Sequence, residues 1–174
     1  MIKIIDKETF RKTEGRIYRY YENLKKIDML EHRCMVLENT KEQLRNDIKN
    51  TNVSIETDMN MGIGYEERVQ TSSTCTSYAE KEIARQVNKM IQEWKDIRKE
   101  ILKIHSKIRE LNKQDPDMKY AIGLLDTQYR LIADMKYKDQ LSLEKIGLKL
   151  NMDKSTVSRT RERIVKDVSK VVNL

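Results

Sequence analysis

Residues 142 to 164 read Ser-Leu-Glu-Lys-Ile-Gly-Leu-Lys-Leu-Asn-Met-Asp-Lys-Ser-Thr-Val-Ser-Arg-Thr-Arg-Glu-Arg-Ile. Counting from Leu143, Ile146 and Leu150 fall four apart on one helix face, where they can cover a small core. Gly147 beside them suits two helices that cross closely. Asn151 stands where the chain must turn through a left-handed residue, a conformation glycine takes best and asparagine next. Met152 plugs the core under the turn, and Asp153 is placed to cap the following helix. Val157, Ile164 and Val168 continue the buried face, while Thr160 stands where an aliphatic residue would be more comfortable. The spacing predicts a helix-turn-helix.

The other side of the second helix carries Lys154, Ser155, Thr156, Ser158, Arg159, Arg161, Arg163, Lys166 and Lys170. From Lys154 to Lys170 six lysines and arginines face only Glu162 and Asp167, so much of the chain's formal charge of +7 is concentrated there. Units of this kind lay their second helix in the DNA major groove. Hydroxyls and a cation at its start suit base edges and nearby phosphates, and later cations suit the phosphate backbone. Lys154, Ser155, Thr156, Ser158, Arg159, Arg161, Arg163 and Lys166 are therefore the candidate DNA-binding residues. A protein-docking module or a solvated basic face is the competing interpretation; the complete spacing favours double-stranded DNA.

These residues resemble a known domain. Residues 125 to 172, with Tyr129-Arg-Leu-Ile-Ala-Asp-Met-Lys-Tyr137, then Leu141-Ser-Leu-Glu-Lys-Ile-Gly147 and Ser155-Thr-Val-Ser-Arg159, look like region 4 of bacterial sigma-70 factors. The wider chain resembles phage transcriptional regulators of the RinA and ArpU kind, which join a helical amino-terminal part to such a domain. Glu67-Arg-Val-Gln-Thr-Ser72 is similar to a short segment in small phage proteins of that group. The resemblance implies contact with a promoter −35 element, with the RNA polymerase β-flap, or with both, through residues 117 to 172. Nothing upstream looks like the promoter-melting region 2, so an autonomous sigma factor is not implied.

Across 174 residues, charged side chains make up 36% and apolar ones 38%, with one proline and five glycines. Such a composition fits long helices that bury a narrow stripe, and an all-α fold is expected. No apolar run approaches the ~18 residues needed to span a bilayer, and no signal peptide is visible, so a cytoplasmic protein without membrane contact is expected. Cys34 and Cys75 form no Cys-x-x-Cys pair and no histidine stands at ligand spacing; Cys34 is expected to pack, Cys75 to be a free thiol, and no metal or cofactor is expected. His32 and His105 read as solvent-facing helix residues that build no acid-base or nucleophile constellation, so an enzyme is not expected.

Upstream, a helix is expected from Asp6 to about Lys49, with Gly15 weakening its opening turns. Its stripe runs Ile17, Tyr20, Leu24, Ile27, Leu30, Cys34, Leu37, Leu44 and Ile48, a coiled-coil seam with one phase shift. Ser77-Tyr-Ala-Glu80 forms a capping box, after which Ile83, Val87, Met90, Trp94, Ile97, Ile101, Ile104, Ile108 and Leu111 repeat in fours and threes. These seams, 17–48 and 83–111, are expected to pair as a hairpin or as a bundle in a homo-oligomer, with a dimer favoured. Between them, residues 50–76 read either as a linker or as a segment whose Tyr65, Arg68 and Gln70 order on a partner; Gly62-x-Gly64 is too short for a nucleotide site.

Asp115-Pro116 should cap and open the last domain. Two helices are expected near 117–125 and 127–138, their core including Ile122, Leu125, Tyr129, Ile132, Ala133 and Met135. Arg130, Lys136 and Lys138 are candidate backbone or polymerase contacts. The organisation expected is thus a helical oligomerisation part at 1–112 and a helix-turn-helix domain at 113–174. The function expected is a sequence-specific transcription regulator, a phage or prophage late-gene activator acting at a promoter with RNA polymerase as a second partner. Its alternatives are a DNA-packaging subunit like a small terminase, and a coiled-coil protein that binds polymerase without reading DNA.

Overall fold

The computed structural model describes residues 6–52 and 78–172. Among them the regular backbone is entirely helical, as the composition predicted. Helix α1 spans Lys7–Asn50 and α2 Tyr78–Lys113. After them come α3, Pro116–Gly123, and α4, Thr127–Ala133, which runs into a π-helical turn at Asp134–Lys138. The last two helices are α5, Leu143–Leu150, and α6, Lys154–Val171. Among the described residues no helix is long and apolar enough to cross a membrane. Ser77, Cys75, the Glu67–Ser72 segment, Gly62, Gly64, Tyr65, Arg68 and Gln70 lie outside the described residues.

Gly15 does not interrupt α1. Open space surrounds the position a Cβ would take, so its cost is limited to weak helix propensity, about 1 kcal/mol, set against a stripe that buries Ile17, Ile27 and Cys34. In α2 every seam residue from Ile83 to Leu111 is at least half-shielded, and Ile101 and Ile104 are buried. Side chains of the two helices meet within each compact unit. Asn23 donates to Gln114 at 3.1 Å, and farther along Arg33 pairs with Glu100.

The compact units do not divide at 112/113. One comprises residues up to His32 together with Ser106 onward; the other is Arg33–His105. In the first, Ile17 and Tyr21 of α1 join Met118, Ala121, Ile122 and Leu125, then Ile132, Ala133 and Tyr137, then Ile146, Val157, Ile164, Val165 and Val168 in one buried cluster. Tyr129 and Met135, expected within this core, are partly buried against it.

Polar side chains fasten α1 to that core. Tyr21 Oη donates to Asp134 Oδ1 at 2.8 Å, and Tyr137 Oη donates to Glu14 Oε1 at 3.1 Å. The rings of Tyr21 and Tyr137 stack with centroids 6.0 Å apart, and Tyr18 meets Tyr137 edge-on at 4.8 Å. Asp115 occupies the N-cap of α3 as expected but makes no side-chain cap bond. Its carboxylate instead takes Arg16 at 2.9 Å. The π turn has a local cause: Asp139 N–H reaches back five residues to Asp134 O at 3.0 Å, in a stretch whose Tyr137 is buried in the core.

Both tyrosines are held protonated, Tyr21 by burial and its bond to Asp134, Tyr137 by burial and the nearby Glu14 carboxylate. Their phenols titrate higher in the folded than in the unfolded chain. The stability they contribute is therefore complete below the ordinary tyrosine pKa of about 10 and declines as pH climbs beyond it. Urea melts from pH 8 to 11 should show stability falling above about pH 10, with a shallower fall in Tyr137→Phe; equal slopes in the two proteins would contradict this.

Candidate nucleic-acid interface

The turn between α5 and α6 is built as its residue types require. Ser142 Oγ accepts from Lys145 N–H at 3.3 Å and starts α5. Asn151 ends it in the left-handed region, φ 51° and ψ 43°. Met152 N–H then donates to Gly147 O at 2.9 Å. A Cβ on Gly147 would lie 2.5 Å from Met152 O, so the glycine makes room for the backbone of the turn rather than for the crossing of two helices. Asp153 holds the N-cap of α6 in extended backbone, but its side chain makes no cap bond.

Ile146, Val157, Ile164 and Val168 are buried as expected. Thr160 is buried too, at 7% exposure, and its hydroxyl donates to Thr156 O at 2.9 Å. An intrahelical bond thus satisfies this buried hydroxyl, which is how threonine serves in an aliphatic position.

The outward residues of α6 fall into two groups. Lys154, Ser155, Thr156, Arg159 and Arg163 are exposed, and Ser158 and Lys166 are half-buried. Ser155, Arg159 and Arg163 recur every four residues, so they form one ridge turned away from Val157 and Ile164. Lys154 pairs with Glu144 of α5, whose carboxyl is held below its usual range by that bond. Lys145 and Lys149 add exposed cations on α5.

Arg161 is the correction. Its Nε donates to Glu14 Oε1 at 2.7 Å and its Nη2 to Glu14 Oε2 at 3.1 Å, and its guanidinium lies 5.3 Å from the centroid of the Phe10 ring. This bidentate bond pushes the guanidinium pKa further up. Arg161 faces α1 and is committed there, apart from the exposed cations Arg159 and Arg163 of the same helix. Arg130 is likewise structural: its Nη2 donates to Gly123 O at 2.6 Å and Leu125 O at 3.3 Å, satisfying carbonyls released at the end of α3. Lys136 is half-buried and Lys138 exposed.

Two substitutions separate scaffold from surface. Gly147→Ala should destabilise the chain by about 1–3 kcal/mol, because backbone must move to admit the methyl group; an unchanged urea midpoint would contradict the close approach. Arg161→Ala should cost roughly 1–3 kcal/mol of stability while leaving the affinity of the folded protein for duplex DNA within about twofold. A large affinity loss at unchanged stability would return Arg161 to the binding face.

In comparison with known proteins, no family model, no curated protein and no solved structure is significantly similar to this chain.

Proposed function

We propose that the chain is a sequence-specific DNA-binding transcription regulator, of the phage or prophage late-gene kind, that reads promoter duplex through a helix-turn-helix formed by α5 and α6. The observation that carries this reading is the ridge of Ser155, Arg159 and Arg163, with Thr156 beside it. It is exposed on a helix whose opposite face is locked by Ile146, Val157 and Ile164. A rigid helix with a polar, cationic outer face at its first turns is what major-groove recognition requires.

Within that reading, Ser155, Thr156 and Arg159 meet base edges, while Lys154, Arg163 and Lys166 meet phosphates. RNA polymerase is the second partner, by the resemblance to sigma region 4. The exposed Met35, Val36 and Leu102 of the Arg33–His105 unit, which lie off the seams, offer apolar surface for self-association. A dimer would pair two reading helices and favour a repeated or palindromic site with half-sites about one helical turn apart. The role is one of binding, with no catalytic step assigned to any residue.

Selection from random duplex DNA at near-physiological salt should enrich one motif. Arg159→Ala should then lose about 1–3 kcal/mol of discrimination between that motif and random duplex if Arg159 reads a guanine. Failure to enrich any motif, or an unchanged specific-to-random ratio in the variant, would count against this assignment.

A further inference from the structure

The Arg33–His105 unit brings together three donors that the sequence keeps apart. Cys34 of α1 is buried, and its Sγ lies 3.4 Å from Nε2 of His105 on α2. Glu38 stands one turn beyond Cys34 on the same face of α1. One ligand atom from each of Cys34, Glu38 and His105 lies within 4.8 Å of the other two. His105 is not legible in the sequence as a partner of Cys34 because the two positions are separated by 71 residues and meet only when α1 and α2 pair.

We propose that Cys34, Glu38 and His105 form a binding site for a divalent transition metal of the zinc class. Zinc bonds of ~2.3 Å to sulfur and ~2.0–2.1 Å to imidazole nitrogen put the two ligand atoms of a tetrahedral site about 3.6 Å apart. The observed 3.4 Å already matches that edge. The carboxylate must close by at most about 1.5 Å to complete the face, and Glu38 is exposed, with no hydrogen-bond or ion-pair partner among the described residues to hold it back. A thiolate, an imidazole and a carboxylate suit a borderline ion and do not suit magnesium or calcium, which take oxygen ligands.

Binding releases the Cys34 thiol proton to solvent and leaves one coordination position for water. Because the ligands come from both helices, the ion ties α1 to α2 within this unit.

The test is cobalt titration of the full-length Cys75→Ser chain, which leaves Cys34 as the single thiol. The expected result is one equivalent bound, with a thiolate-to-cobalt charge-transfer band in the near ultraviolet, displaced by zinc, and a rise in melting temperature on adding zinc. Cys34→Ser should abolish the band, and His105→Ala or Glu38→Gln should weaken binding by about tenfold or more, with helical content checked by circular dichroism. No saturable binding in the Cys75→Ser chain, or saturable binding without the thiolate band, would overturn the site, and so would affinity unchanged by His105→Ala.

Discussion

The Glu14 carboxylate organises the unit that carries α6. It accepts from the Tyr137 phenol on one side and from the Arg161 guanidinium on the other, and its side chain is only 16% exposed. A carboxylate so far out of water is tolerable only when its oxygens are met by donors, and removing either partner leaves charge or lone pairs stranded. Around it lie Phe10, Tyr18 and Tyr21, so the opening turns of α1 are joined to the π turn and to α6 through one continuous contact. A second helix-to-core link, from Arg16 to Asp115, anchors the start of α3.

That arrangement divides the cations of α6 by direction. Arg161 is turned inward and spent on the scaffold, whereas Arg159 and Arg163, two residues to either side, remain outside. On a helix a step of two residues rotates a side chain by roughly 200°, so neighbours of identical chemistry acquire opposite roles. The proposed reading of DNA depends on this, because a ridge held from behind has a defined angle to present to a groove.

Much of the fold was legible because its signals are local. The seams of α1 and α2 announced themselves by spacing, Asn151 by its tolerance of left-handed backbone, and Ile146, Val157, Ile164 and Val168 by periodicity. What could not be read is what depends on distant partners. Nothing near Arg161 in sequence distinguishes it from Arg159; the difference is Glu14, 147 residues away. Gly147 was identified as a place needing a small residue, but the obstacle is the carbonyl of the turn, which only its backbone conformation reveals. Asp153 and Asp115 occupy cap positions, yet neither caps with its side chain, since capping preference records position and not the bond finally made. Likewise Ile17 reads as coiled-coil seam and Tyr21 lies off that seam, although both close the core around α3 to α6.

The central claim is that the exposed face of α6 meets duplex DNA while its Arg161 side stays on α1. Amide hydrogen exchange on the full-length chain, with and without a bound selected duplex, tests it most directly. The account predicts new protection in peptides covering residues 151–163, with the segment of α1 around Glu14 unchanged. Protection confined to other parts of the chain, or loss of protection around Glu14 on binding, would contradict it.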